Sequence, residues 1–400
     1  MHFLKQLYCR TFQLCLKVAL PFLPYREPVI LENTLQIVQV LQEKQINAVL
    51  LVADKNIRQL KLSQPLEQVL AAGGIACYIY DDTVQNPTIT NVQQAKKLYT
   101  AHGCGAIIGF GGGSPIDCAK CVGACLARPN LPIAKMHGIL KILKRTPLFF
   151  AVPTTAGTGS EVTLTSVITD EETKRKYTIN DFPLIPDYAV LDYRLTVGLP
   201  KHITSTTGLD ALTHAVEAYI GRSTTKYTRA LAEEAIVRIH QSLWVAYTQP
   251  QNIEARKSMQ IAAYKAGIAF SQSYVGYVHA LSHAISGRYH TPHGLANACI
   301  LPYFLEEYGE AIDAKLAHLA QLLALCPDEA ASAKQKADAF RAWVWAINAQ
   351  LAIPTTLPEI QEKDVPQLVA YAEKEANPLY PVPVLMGKEE LTAMLRKVMA

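Results

Sequence analysis

The chain has 400 residues, half of them hydrophobic, and a formal net charge of only +4. That is enough apolar material for two domains with substantial cores, and it excludes a disordered chain. The basic residues are dispersed and never interleave with aromatics as on a nucleic-acid surface, and no apolar run is long enough to span a bilayer.

Nine cysteines, an odd number set mostly in apolar segments such as those of Cys77, Cys104 and Cys299, point to a reduced compartment, the cytosol, rather than to a disulfide framework. The opening segment, residues 1–23, is apolar enough to resemble a signal. Lys5, Arg10 and Lys17 interrupt its run, however, and Pro21 and Pro24 end it. An amphipathic helix docked on the body of the protein or on a partner subunit is expected, with peripheral membrane contact as the second option.

A helical stretch, Leu31 to Glu43, precedes the apolar run Ala48 to Ala53, which has the character of a buried parallel strand. Asp54 follows at once. An acid there is placed to accept hydrogen bonds from an adenosine ribose, or equally to cap a helix. A second strand, Ala76 to Tyr80, leads through Asn86-Pro87-Thr88 into a helix from Ile89 to Ala101. The third strand, Ala106 to Ile108, runs into Gly109-Phe110-Gly111-Gly112-Gly113-Ser114-Pro115-Ile116-Asp117 and a further helix. Glycines there admit a diphosphate to the backbone, or simply make a tight turn. Cys118, Cys121 and Cys125 recur at helical spacing and are expected to be a packed face rather than a redox or zinc motif.

The strand Leu148 to Val152 ends in Pro153 to Thr163, a loop dense in hydroxyls and small residues suited to hydrogen-bonding a flat polar ring and its ribose. Further strands are expected between Ser166 and Asp192, with Lys176 either approaching a cofactor or solvated. From about residue 195 glycine-rich turns give way to long helical patterns, among them Lys226 to Tyr247, Ile253 to Phe270 and Ala311 to Leu325. Domains of 1–195 and 196–400 follow. A proline-restricted strap, Asn377 to Pro383, precedes a last helix from about Lys388.

Five polar donors stand out in the helical half. Asp210 and His214, four apart, share a helix face, and His279 and His283 repeat that step. His293 follows Pro292 at an expected helix start. Taken singly they read as an ion pair or as hydrogen-bonded core imidazoles; taken together they favour a metal. Imidazoles with a carboxylate suit Fe²⁺ or Zn²⁺, which lowers the pKa of a bound alcohol and makes its carbinol a hydride donor, so a nicotinamide site is expected as well.

Gly111 to Asp117, Pro153 to Thr163, Gly208 to Tyr219 and His279 to Asn297, in that order, make the chain resemble the iron-dependent (group III) alcohol dehydrogenases. The resemblance implies a Rossmann-like α/β N-terminal domain, an all-α C-terminal domain in the dehydroquinate synthase-like arrangement, a site in the cleft between them, and a homodimer. It further implies that Asp210, His214, His279 and His293 bind Fe²⁺, and that His283 lies beside the nicotinamide and relays a proton. By the same resemblance Gly112, Gly113, Ser114 and Asp117 belong to the diphosphate motif of NAD, Thr154, Thr155 and Thr158 to a second cofactor loop, Asp54 to the ribose, and Asn86 and Lys176 to further cofactor contacts. Many members carry a glycine pair near the position of Glu32-Asn33, which this sequence lacks. The expected activity is reversible hydride transfer between a primary or secondary alcohol and NAD. The alternative on the same fold is a zinc polyol dehydrogenase of the glycerol type or a dehydroquinate synthase-like lyase.

Overall fold

The computed structural model describes residues 3–19, 22–173 and 175–399. Two compact units emerge, one of Pro24–Leu199 and one of residues 200–399 together with the described part of 3–23. The division falls close to the expected 195. Residues 3–19, 22 and 23 nevertheless belong with the helical unit and not, as the 1–195 boundary had it, with the α/β unit.

The first helix, α1 (Phe3–Ala19), therefore packs on the helical unit. In the α/β unit the strands are β1 (Val29–Leu31), β2 (Ala48–Val52), β3 (Ala76–Tyr80), β4 (Ala106–Gly111), β5 (Gly138–Ile139), β6 (Leu148–Pro153), β7 (Thr165–Asp170), β8 (Arg175–Asn180) and β9 (Tyr188–Val190). Its helices are α2 (Gln36–Glu43), α3 (Lys55–Gln59), α4 (Gln64–Ala72), α5 (Ile89–Ala101), α6 (Gly113–Ala127) and α7 (Ile133–Met136). Six strands form one parallel sheet in the order β1-β9-β6-β4-β2-β3. The order reverses direction at β2, whose neighbours β3 and β4 lie on opposite sides, so the C-terminal ends of β2 and β4 flank the crevice where such sheets bind ligands. The expected helix from Leu31 begins only at Gln36, because Val29–Leu31 pairs with β9.

Alternation along β2 explains the two cores. Leu50 and Val52 join Ile107, Cys118, Cys121 and Cys125 on one side of the sheet, while Val49 and Leu51 join Ile37, Leu41 and Phe150 on the other. Period-2 side chains with both faces covered are what a parallel sheet requires. The cysteines of α6 are thus packing residues, and all nine cysteines are free thiols. The remaining strands make a small sheet, β5-β8-β7, with β7 and β8 antiparallel.

The helical unit contains α8 (Lys201–Ile220), α9 (Lys226–Thr248), α10 (Ile253–Ser273), α11 (Tyr277–Tyr289), α12 (His293–Glu307), α13 (Glu310–Leu322), α14 (Ala333–Gln350), α15 (Val365–Ala376) and α16 (Lys388–Met399). Helix α12 starts at His293 behind Pro292, as the sequence suggested. Gly294 lets α12 close on α8: a Cβ there would lie 2.4 Å from the Thr206 carbonyl oxygen and 3.3 Å from the Asp210 Cβ. A backbone neighbour cannot give way as a side chain does, so glycine sets this approach. No helix among the described residues is long and apolar enough to cross a membrane.

Buried charge holds the β6 loop. The Lys120 ammonium on α6 donates to the Thr163 carbonyl (2.7 Å), the Thr163 hydroxyl (2.8 Å) and the Thr165 carbonyl (2.9 Å). Burial raises the nearby Glu161 carboxyl from its ordinary 4.5 to about 7, against the opposing pull of a backbone amide and Lys120. A folded pKa above the unfolded one makes the group's contribution greatest below pH 4.5, and that contribution is lost as pH rises through about 7. Glu161→Gln, neutral throughout, is expected to flatten the stability profile over this window. Urea titrations across the pH series test it, and an unchanged slope would remove Glu161 as its source.

Candidate active site

Helix α8 is buried along almost all of Thr204–Ile220, so its polar groups must find partners inside the protein. Asp210 meets His279 of α11 and His293 of α12: one donor atom from each lies within 4.8 Å of the others. His214, expected as the fourth ligand, is not part of that set. Its ring stacks on His279 at 4.4 Å between centroids and on Phe270 at 4.2 Å. His283 stacks on His293 at 4.9 Å.

The orientation of the imidazoles is fixed from behind. His279 Nδ1 lies 2.6 Å from Glu217 Oε2, and a carboxylate only accepts, so Nδ1 carries the proton and the Nε2 lone pair faces Asp210. Glu217, itself buried, also accepts from the backbone amides of Gly276 and Val278 at the start of α11, each at 2.9 Å. His293 Nδ1 lies 2.9 Å from Ser282 Oγ. Since that hydroxyl donates to the His293 carbonyl (3.2 Å), the ring nitrogen must be the donor, and again Nε2 faces inward.

Asn297, one turn along α12 from His293, presents its amide nitrogen to all three donors: 2.7 Å from Asp210 Oδ1 and 3.1 Å from Nε2 of both His279 and His293. Two N–H bonds cannot satisfy three acceptors, and the Asn297 carbonyl oxygen is buried without a partner among the described residues. A cation satisfies three converging lone-pair donors at once, and a carboxylate with imidazoles suits a borderline divalent ion. The residues fit a metal.

His283 is tied elsewhere. Its Nδ1 donates to Glu375 Oε1 at 2.6 Å, and the Tyr380 hydroxyl donates to the same oxygen at 2.8 Å. Tyr277 is fully buried and anchors the strap, its hydroxyl meeting Asn377 Oδ1 at 2.8 Å and the Met386 carbonyl at 3.0 Å. The buried Cys299 thiol donates to the Thr355 carbonyl.

In the α/β unit Asp54, the Gly112–Ser114 turn and the Thr154–Thr158 loop follow the C-terminal ends of β2, β4 and β6. Gly112 caps α6, which opens with Gly113 and Ser114, so free backbone N–H groups converge there as an anion site needs. The loop after β6 lies against them: Thr154 N donates to the Gly111 carbonyl at 2.9 Å, and a Cβ on Gly113 would come within 3.0 Å of Thr158. On Gly112 it would come within 3.7 Å of Thr155. Asp117 joins the two loops rather than facing outward, accepting from the Ser160 hydroxyl at 2.7 Å and the Val167 amide at 3.1 Å. Asp54 caps α3 by accepting from Ile57 N at 3.0 Å with one oxygen. Lys176 donates to Asn86 Oδ1 at 2.9 Å, joining two candidates ninety residues apart.

Glu217, Ser282, Asn297 and Glu375 escaped the sequence reading. A signal existed for the first three, at i+3 from His214, i+3 from His279 and i+4 from His293; Glu375 had none.

A doubly wound sheet with glycine and hydroxyl loops at its switch point, joined in one chain to a helical unit with a buried carboxylate–imidazole cluster, defines a metal-dependent oxidoreductase. Comparison with known proteins agrees. The profile for iron-containing alcohol dehydrogenase matches residues 29–193, and that for the C-terminal domain of the Fe-containing alcohol dehydrogenase family matches residues 204–399. Alcohol dehydrogenase 4 of Saccharomyces cerevisiae is 35% identical over 359 residues, 89% of this chain and 92% of that one. Among solved structures, a 1,3-propanediol oxidoreductase superposes with a TM-score of 0.89 at 33% identity, covering 94% of this chain and 99% of the other. A sulfoacetaldehyde reductase from Bifidobacterium kashiwanohense in complex with NAD+ gives 0.82 at 26% identity over 94% and 98%. The chain belongs to the iron-containing alcohol dehydrogenase family.

The Glu217 contact makes a direct prediction. Glu217→Ala strips the acceptor from three N–H groups and frees the His279 tautomer, so metal affinity should fall roughly 10- to 100-fold. Glu217→Gln, able to accept though not as a charge, should fall less. Equilibrium competition with a chromophoric chelator measures both; equal affinity in Glu217→Ala and the native protein would refute the positioning role.

Proposed function

We propose that the chain oxidises a primary or secondary alcohol, and reduces the matching aldehyde or ketone, with NAD as hydride partner and Fe²⁺ held by Asp210, His214, His279 and His293. The observation that carries this reading is the inward convergence of the Asp210, His279 and His293 donor atoms. His214, already stacked on His279, would complete the set by a change of ring orientation on the same helix. When bound, the metal supplies polarisation of the substrate oxygen and the nicotinamide supplies the hydride acceptor or donor.

The chain's own groups do the rest. Asp210 offsets part of the cation's charge, and Glu217 and Ser282 keep two imidazoles neutral with their lone pairs available. His283 is the proton carrier. Its Nδ1–H is held by Glu375, so Nε2 is the atom free to accept the hydroxyl proton as alcohol becomes carbonyl, and Glu375 stabilises the imidazolium that results. The Tyr380 hydroxyl on Glu375 keeps that carboxylate in place. In the α/β unit Gly112, Gly113 and Ser114 would bind the diphosphate at the α6 N-terminus, with Thr154, Thr155 and Thr158 on the adjoining loop. Asp54 would use the oxygen not engaged in its cap for the ribose hydroxyls, and Asn86 and Lys176 would add contacts as a pair. Asp117 serves by fixing one loop to the other. A cytosolic homodimer completes the reading, in keeping with nine free thiols.

Two experiments test it. Asp210→Asn and His279→Ala should lose metal, measured by elemental analysis, and NADH-linked alcohol turnover together; turnover in metal-free protein would sink the assignment. For the cofactor, Asp54→Ser retains a capping oxygen while removing the charge, and should lower the preference for NAD over NADP by about tenfold, or roughly one charge-assisted hydrogen bond. An unchanged ratio of kcat/KM values would free Asp54 from this role.

A further inference from the structure

Helix α1 is turned inside out. Its stripe of Phe3, Leu4, Leu7, Tyr8, Leu14 and Val18, gathered on one side at 100° per residue, faces away from the protein, each side chain between 54 and 72% exposed. Phe22, just beyond, is 85% exposed. The inward side carries Cys9 and Gln13 as its buried residues.

Beside this stripe lies a cluster of cations. Lys17 donates to the Arg222 carbonyl at 2.9 Å, and Lys315 donates to the carbonyls of Ile220 and Gly221 at 2.7 and 2.8 Å, so both sit on the turn that ends α8. Arg10 binds the strap that meets the same turn, through the Val382 and Pro383 carbonyls at 2.7 and 2.9 Å. Burial first, then the charges of Arg229, Lys17 and Arg222, lower the Lys315 ammonium to about 8, a sign that these cations feel one another. Among the described residues none of the five forms an ion pair with a carboxylate.

We propose that α1 is a membrane-surface anchor, laying its apolar stripe into the headgroup–acyl boundary of an anionic bilayer while Lys17, Arg222 and their neighbours meet the lipid phosphates. An apolar stripe and a basic patch side by side are the two signals that stable peripheral binding takes, and neither a nucleic acid nor a free phosphate ion has use for the stripe. A second copy fits less well. Residues 3–19 contain no acidic residue, and Lys5 is already paired with Glu373 at 2.6 Å, so α1 against α1 would offer Lys17 no carboxylate from the facing helix.

Flotation of the full-length protein with extruded vesicles tests this, comparing phosphatidylcholine alone with a mixture holding about one third phosphatidylserine. The native protein should float with the anionic vesicles and release at high salt. Leu7→Asp with Leu14→Asp should abolish binding, and Lys17→Glu with Arg222→Glu should weaken it at least about 25-fold, near fivefold for each cation removed. All four residues lie outside the metal and cofactor groups, and unchanged alcohol turnover confirms that the variants are folded. Failure of the native protein to float, or equal flotation of the variants, overturns the proposal. So does a fall in the sedimenting mass of vesicle-free protein on Leu7→Asp with Leu14→Asp, which would make the stripe a contact between copies.

Discussion

An imidazole has one lone pair to give, and the proton on its other nitrogen decides which side gives it. Around Asp210 that decision is made twice, by Glu217 on His279 and by Ser282 on His293. Glu217 is in turn held by two backbone amides at the start of α11, where the helix dipole favours a negative charge. The consequence is three acceptor atoms facing one another in a buried place. Such an arrangement is costly unless something electropositive stands among them, and the Asn297 amide, with two hydrogens for three acceptors, meets the demand incompletely. The site fits a cation through its backing groups as much as through its donor atoms.

How much of this the sequence disclosed follows from the range of each interaction. Asp210 and His214 on one helix face, and His293 starting a helix behind Pro292, were legible because helical spacing and proline chemistry are local. The parallel strands were legible because burial on both faces writes continuous apolar runs. What stayed hidden is what tertiary contact decides. Leu31 pairs with β9 instead of starting a helix, and Tyr277 spends its hydroxyl on a strap a hundred residues away. His214 illustrates the same limit: spacing puts it beside Asp210, but its ring plane is set by Phe270.

The α/β unit solves a different electrostatic problem. A phosphate cradle needs bare N–H groups and small residues, which leave little surface with which to hold the loops together. Here the holding is done one layer down, by Asp117 on Ser160 and Val167 and by Lys120 on Thr163 and Thr165. Burial pushes the Asp117 carboxyl up and the Lys120 ammonium down to about 8, each against the pull of the other. Opposite charges sunk beneath the loops let the surface above stay small and hydroxyl-rich.

The orientation of α1 has a cause of the same kind. The strap at Pro378–Pro383 carries three prolines, which remove amide donors and prevent regular pairing, so apart from the Val382 amide on the Tyr380 carbonyl its carbonyls are left to be met from outside. Gln13 donates to the Pro378 and Tyr380 carbonyls at 3.2 and 2.7 Å, and Arg10 to those of Val382 and Pro383. Only a polar helix face can do this. Amphipathicity in the sequence marks two faces without saying which one the protein will bury, and the usual assumption puts the apolar one inside; a neighbour made of unpaired carbonyls reverses the choice and sends the leucines outward. Because Tyr380 on that strap also steadies Glu375, and Glu375 holds His283, the polar face of α1 supports the placement of that imidazole while its other face stays exposed.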